Sequence, residues 1–461
     1  MLANAMLQSL KLPAWAVLVV DAKDAQVSAF YPRAIIFESA ALCTIVLCRL
    51  ILQYNTTGQV RNNSEMEGFH LMSIVSIVKV GSDDEHSIRN AVREAVDYIG
   101  GIDDLVKFDD TVIIKPNLVA VPSGRLTGAV TRWEVCKAVA DMVRELGAKP
   151  VIAESSAAGV DTEKVIVATD YTRLRDQGYE VIDLKKTTAV TMQVPGGGKV
   201  FNDMETWELV QKADVVISVP VLKTHDQTEA TLSLKNIKGL INDAQKKEFH
   251  RYGVLEGVVD MITAFKPKLT IIDGTWGQEG FGPIFGSPVK MGLIIASKDL
   301  VAADAVAGRI IGYDPKEVPI TVRAAARGLG EMDLGKIEIK GVPIKDVEKR
   351  FVRACETKIE GLPPFELLLD EGACTGCRNT VLSAIMDMKS QNLEGSLKGK
   401  CIICGPMDES RIPCHIPKEN VILVGICTKH LEERGTFVQG CPPNNIYVVQ
   451  GIVGGEVKNR Y

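Results

Sequence analysis

The chain has 461 residues, 46% hydrophobic and 24% charged, with a net charge of −5 and a pI near 5.8. That length holds two or three domains of about 100–200 residues each. The acidic balance excludes the basic face expected of a nucleic-acid or acidic-membrane partner, and 5% aromatics leave little for a base-stacking platform.

In chain order, the first 71 residues stand apart. Residues 34–52, AIIFESAALCTIVLCRLIL, look like a membrane segment, but Glu38 and Arg49 leave only ten uncharged residues between them. A spanning helix needs about 20 mostly apolar residues. No basic region precedes an apolar core with a cleavage site, so a signal peptide is a poor fit as well. Domain-like patterning starts abruptly at Met72, which leads to the expectation of an over-extended gene model with initiation at Met66 or Met72. The rival is a membrane anchor. With an over-extended start, the glycosylation-type matches at Asn55 and Asn62 carry no meaning.

From Met72 strands and helices alternate. Apolar runs predict strands at 74–80, 111–115, 150–153, 213–219, 269–273 and 291–296, with amphipathic helices at 86–99 and 132–146 between them. Near-continuous apolar strands separated by helices predict an α/β fold, a mostly parallel sheet covered by helices on both faces. Residues 190–201 read as a hairpin turning on three glycines, and about 300–328 as a return to helix, including the stretch LVAADAVAGRIIG, which stops at Gly312 with Pro315 beyond. The stretch GLPPF at 361–365 reads as a linker, giving an α/β ligand-binding domain over 72–355 and a small cysteine-rich α/β metal domain over 366–461.

Ligands of open α/β sheets sit beyond the carboxyl ends of the strands. There this sequence places Lys115 and Asn117, then Lys223, Thr224 and His225, then Lys235, Asn236 and Lys238, and finally a glycine-rich stretch with Asp273 and Glu279. Four lysines with nearby amides suit a carboxylate or phosphate, with lysine as a point charge and glycine-loop N–H groups in support. Lys115, Asn117, Lys235, Asn236 and Lys238 are the expected anion-binding set, Lys223 and His225 the candidates for moving a proton, and Asp273 and Glu279 polar or metal-binding partners. Taken singly, each lysine reads equally well as a solvated loop charge, and His225 as a hydrogen-bonded structural residue. No glycine run matches a nucleotide-binding fingerprint, which argues against ATP hydrolysis and a standard dinucleotide site.

The segments TVIIKPNLV, AESS, ADVVISVPVLKTH, TLSLKNIKG, IIDGTWGQEGFGP and SKDLVAADAVAGRIIGYDP resemble the domain-of-unknown-function family 362, over about residues 72–330. The resemblance implies an uncharacterised, frequently iron–sulfur-containing protein, and supports a fold and a cluster without supplying a reaction. Many members end in a ferredoxin-like run of closely spaced cysteines closing on Cys-Pro. This chain departs from that pattern, so a two-cluster ferredoxin is not expected.

Seven of the 11 cysteines fall between Cys374 and Cys441, an asymmetry that reads as a metal site in a reducing, cytoplasmic setting rather than a disulfide scaffold. Cys374 and Cys377 open a helical pattern, where the helix dipole favours thiolate. Cys427 follows the strand 421–425, and Cys441 precedes two prolines that end regular structure. These four are the expected ligands of a 4Fe–4S cluster, with zinc as the alternative, since either accepts four thiolates. Cys401 and Cys404 form a second Cys-x2-Cys, but its 23-residue spacer from Cys377 is too long for a zinc ribbon and the pair lies in a predicted strand, where residues three apart face opposite sides; they read as buried small hydrophobes, with one of them a ligand as the alternative. Cys414 and His415 lie in a proline-flanked loop as substitutes, while Cys136 and Cys355 read as structural.

Three classes of function use these features. The leading one is an iron–sulfur oxidoreductase acting on a small anionic substrate and served by a redox partner protein. The others are a non-redox isomerase or lyase with a structural metal domain, and an electron-transfer or assembly protein without a substrate.

Overall fold

The computed structural model describes residues 72–457 and two short antiparallel strands, Leu18–Val20 and Val27–Ala29. The readings of 34–52 as a membrane segment, of Asn55 and Asn62, and of the start site lie outside the described residues. Among the described residues no helix is long and apolar enough to cross a membrane. Residues 1–71 and 72–461 are separate compact units, and the fold below is that of the second.

A ten-stranded sheet forms its centre. In chain order the strands used here are β1 (Ser73–Lys79), β2 (Thr111–Pro116), β3 (Lys149–Glu154), β4 (Glu180–Asp183), β5 (Val215–Val219), β6 (Val221–His225), β7 (Glu229–Thr231), β8 (Leu269–Glu279), β9 (Ser287–Ser297) and β10 (Ile337–Gly341). Their order across the sheet is β10-β1-β9-β8-β5-β2-β3-β4, with β6 joined to both β7 and β8. Every pair on that path is parallel except the two made by β9, so the mostly parallel α/β sheet expected from the sequence is present.

The apolar runs are continuous because both faces are covered. Along β2, Val112 and Ile114 pack with α1 (Glu85–Tyr98) and α2 (Trp133–Glu145), whereas Ile113 joins a cluster on the opposite face. That second cluster is filled by the short α3 (Ser233–Asn236), α4 (Asp243–Tyr252) and α5 (Val254–Phe265). Helix α1 shows why the local sequence suffices. The Asp84 side chain accepts from Ser87 N–H, and Ile88, Ala91, Val92, Ala95 and Val96 make one buried stripe. The hairpin at 190–201 is also present, as strands Ala189–Gln193 and Asp203–Trp207 paired antiparallel.

Two sequence readings are corrected. Lys223, Thr224 and His225 were expected in a loop but form the end of β6, since Pro220 ends β5 while the chain stays extended and pairs with β8. The glycine-rich stretch is strand as far as Glu279, because it pairs with β9 from Thr270 to Glu279.

Beyond the 361–365 linker a separate sheet of four parallel strands follows in chain order: β11 (Glu366–Leu369), β12 (Cys401–Cys404), β13 (Val421–Val424) and β14 (Thr436–Val438). The helices α6 (Thr375–Ser390) and α7 (Asn445–Val453) pack on one side of it. Ile402 and Cys404 face that cluster, and Cys401 and Ile403 face the other.

Candidate functional site

At the carboxyl ends of the large sheet lies a cavity of about 360 Å³. Strand β2 delivers Lys115 and Asn117, β3 delivers Glu154, β6 delivers His225, and the turn from α3 into Ile237–Leu240 delivers Lys235, Asn236 and Lys238. The structure therefore brings six of the sequence-expected residues to one cavity.

Their surroundings differ sharply. Lys115 donates to Glu154 at 2.7 Å and to Asn236 at 3.2 Å, and also to the Pro116 carbonyl. Burial pulls its pKa down and Glu154 pulls it back up. Asn236 closes the arrangement by donating to the Lys115 carbonyl at 2.9 Å. Gly239 sits so close that a Cβ there would collide with both Glu154 and Lys115. Lys235 makes no hydrogen bond or ion pair among the described residues, and burial lowers its pKa to about 8. Lys238 meets the His250 ring, Nζ to Nε2 at 3.2 Å, and the face of Phe249, 5.5 Å from its centroid, and burial together with Lys235 and Lys246 pushes its pKa well down.

His225 is held by its neighbours. Its Nδ1 lies 2.8 Å from the Asp226 carboxylate and 2.9 Å from the Gln227 N–H. Burial, reinforced by Lys235, lowers its pKa to about 4, so the ring is neutral near pH 7. With Nδ1 engaged, Nε2 is the atom left for proton transfer.

Three expected residues do not line the cavity. Lys223 is fully buried, and its ammonium donates to Asn117 Oδ1 at 3.0 Å and to the carbonyls of Ala129 and Pro283 at 2.5 and 3.0 Å. All three hydrogens are used, which makes it a clamp on the Gly282–Pro283 turn rather than a proton carrier. Asp273 accepts from Arg132 N–H at 2.9 Å and from the Thr275 backbone and hydroxyl, tying down the entry to α2. Glu279 accepts from Val352 N–H at 2.8 Å. Neither carboxylate lines the cavity.

Sequence reasoning missed Lys246, which donates to the Ser155 and Ser156 carbonyls at 2.8 and 2.7 Å, and His250. They sit four apart on α4, and that shared helical face was the available signal. It also missed Asp226 and Gln227, and the start of α7 at Asn444 and Asn445.

The cysteines occupy the carboxyl edge of the second sheet. Because its strands are parallel, the segments after β11, β13 and β14 emerge on one side, carrying Cys374 and Cys377, Cys427 and Cys441 respectively, and Cys404 ends β12 at the same edge. Cys374 is the N-cap of α6. The Cys377 thiol and the N–H groups of Cys377 and Gly376 stabilise its thiolate, lowering its pKa to about 5, while Cys377 is pushed up by the same pairing and by burial. Gly425, with φ +96°, lies against Cys377: a Cβ there would stand 2.6 Å from its Sγ. Cys404 is buried on this side and Cys401 on the other, while Cys414 and His415 are exposed. Cys136 is buried beside the Tyr171 hydroxyl.

The donor chemistry suits an iron–sulfur group, since segments leaving one edge of this sheet carry several thiols and one, Cys374, already favours thiolate. Among the described residues, however, no three His, Cys, Asp or Glu side chains are drawn together closely enough to hold a metal ion. The tightest contact is the Cys374–Cys377 pair.

One segment touches both centres. His225, Asp226 and Gln227 line the cavity, and Gln227 also donates to Thr380 Oγ1 on α6 and to the Pro443 carbonyl, each at 3.0 Å. Asn379 on α6 donates to Glu229 at 3.2 Å. From the other side, Cys441 N–H donates to the His250 carbonyl at 2.9 Å.

Comparison with known proteins adds the following. A family model, "Domain of unknown function (DUF362)", matches residues 112–309. The chain is similar to the thylakoid-associated protein sll1697 of Synechocystis sp., 31% identical over 269 residues, which is 56% of this chain and 81% of that protein. Among solved structures it is similar to the lactate racemase apoprotein from Thermoanaerobacterium thermosaccharolyticum, with 13% identity and a TM-score of 0.33 over 82% of this chain and 90% of the other. At that score the likeness carries no argument, and the fold rests on the sheet order described above.

Proposed function

We take as premise that this chain belongs to the DUF362 family of domains of unknown function, and we propose that it is an iron–sulfur oxidoreductase acting on a small anionic substrate. Cys374, Cys377, Cys427 and Cys441 would hold a 4Fe–4S cluster, with zinc as the alternative occupant. Such a cluster, when bound, supplies electron exchange with a neighbouring substrate.

The chain's own residues supply the rest. Lys115, Lys235, Lys238 and Lys246 set a positive potential at the end of the cavity, and Asn117 and Asn236 keep Lys223 and Lys115 in place. Neutral His225, anchored through Nδ1 by Asp226, offers Nε2 to take up or deliver a proton beside the anion. Helix α7 closes the side of the cavity with Asn444, Asn445 and Tyr447. A separate redox protein is the proposed electron partner, and a reducing compartment such as the cytoplasm the proposed setting, in keeping with unpaired cysteines throughout the described residues.

The observation that carries this reading is the His225–Gln227 segment, which faces the anion cavity while bonding to the helix that bears Cys377. A second reading is favoured by the Cys374–Cys377 contact, in which that pair alone works as a redox dithiol. Anaerobic purification of the full chain with iron and acid-labile sulfide analysis separates the two. About four of each per chain is expected for the cluster. Iron-free protein in which only Cys374 and Cys377 oxidise reversibly to a disulfide would replace the first reading with the second.

A further inference from the structure

The charges lining the cavity do not balance. Among the described residues the lining carries five lysines, Lys115, Lys235, Lys238, Lys246 and Lys247, against two carboxylates, Glu154 and Asp226. Glu154 is taken by Lys115 at 2.7 Å, whereas Asp226, 2.8 Å from the neutral His225 ring, keeps its charge and acts on Lys235. Lys246 is satisfied by the Ser155 and Ser156 oxygens and by Asp243 at 3.3 Å. Lys235 makes no hydrogen bond or ion pair among the described residues, and Lys238 has no carboxylate beside it, only the His250 ring nitrogen at 3.2 Å and the face of Phe249, 5.5 Å from its centroid. Two lysines with no carboxylate in hydrogen-bond contact, set against the one free charge of Asp226, leave a positive excess in the cavity that a bound anion would balance.

Their placement says what kind of anion. Lys235 and Lys238 stand three apart on one helical stretch, so both ammonium groups rise from the same face. A shared face favours a single doubly charged group over two separate carboxylates. A phosphate monoester is such a group at neutral pH, with three oxygens to accept from several donors at once.

The cavity also has an extension. An outer cleft of about 720 Å³ adjoins it, and Lys247, His250, Asn444, Tyr447 and Gln450 line both. Further out the cleft is walled by Phe437, Arg251 and Gln439, a mixture of apolar and polar surface that suits an organic body rather than a second phosphate.

We infer that the cavity binds a phosphate monoester, its phosphoryl group between Lys235 and Lys238 and its organic portion running past Tyr447 towards Phe437. This rests on the anion-site half of the proposed function and names the substrate class for it; it does not depend on the metal.

Isothermal titration of the full chain with inorganic phosphate, phenyl phosphate and acetate at pH 7 tests it. Phosphate is expected to bind at least about tenfold more tightly than acetate, and phenyl phosphate more tightly than phosphate. Lys235→Gln and Lys238→Gln should each weaken both phosphate ligands by about tenfold or more. Phe437→Ala should weaken phenyl phosphate alone. Two lysine variants are used so that a folding defect in one, seen as a lost thermal transition, leaves the other to decide. Acetate binding as tightly as phosphate, or unchanged phosphate affinity in the folded lysine variants, overturns the inference. Phosphate binding by iron-free protein would leave it standing while removing the redox reading, and iron-loaded protein indifferent to phosphate would do the reverse.

Discussion

Lys223 and Lys235 carry the same side chain and face opposite surroundings, and that difference decides their roles. Lys223 spends three hydrogens on three oxygens at no more than 3.0 Å, so Lys223→Met should leave those acceptors unpaired in the core. A loss of about 2–4 kcal/mol in urea unfolding is expected. Glu154→Gln removes the one carboxylate that balances buried Lys115 and should cost about 3 kcal/mol or more by the same measurement. Lys235 acts on ligand instead. Burial depresses its pKa to about 8, with Asp226 opposing that shift, while Lys223, Lys238 and His225 also face it. Anion binding needs the ammonium form, so affinity for phosphate should hold at pH 7 and fall as pH rises through about 8. Titrations from pH 7 to pH 9 read this directly, and Lys235→Gln should flatten that limb.

At the scale of elements, the β6–β7 hairpin joins the two halves of the site. Gln227 at its turn bonds to Thr380 and Pro443, and Glu229 bonds to Asn379. Gln227→Ala should loosen α6 against the large sheet, seen as faster amide exchange at the start of α6, with the core of the large sheet unchanged. This hairpin was hidden in the sequence. VPVLKTH shows a proline and a lysine where a strand is expected to be apolar, and it is pairing with β7 and β8 that makes the segment extended. The glycine-rich stretch misled in the same way, because glycines that look like a loop allow close approach of strands. A Cβ on Gly277 would stand 2.7 Å from the Leu222 carbonyl. By contrast, strands β1, β2, β3 and β5 and helices α1 and α2 were legible, since a run buried on both faces and a 3.6-residue stripe are local patterns.

Within residues 72–461 as a whole, a mostly parallel sheet and an all-parallel one are placed so that residues from both carboxyl edges reach one region, with His250 and Gln227 touching the Cys441–Pro443 loop from the cavity side. The lysines and amides of the anion site were readable as strand-end residues, a rule that follows from topology. Asp273 and Glu279 could not be told apart from them, because only the fold shows that the two carboxylates turn to Arg132, Thr275 and Val352 and away from the cavity. Strand period alone set Cys401 and Cys404 on opposite faces. It did not reveal that Cys404 ends its strand on the side of Cys377, which follows from the register of β12 beside β13.

Electron paramagnetic resonance of the anaerobically purified full chain, before and after dithionite reduction, tests the central claim most directly. An iron–sulfur signal is expected in the reduced protein, kept in Cys401→Ser and lost in Cys377→Ser. A silent spectrum from protein that has retained its fold, or equal loss of signal in both variants, would contradict the assignment of Cys374, Cys377, Cys427 and Cys441 as the cluster-bearing set.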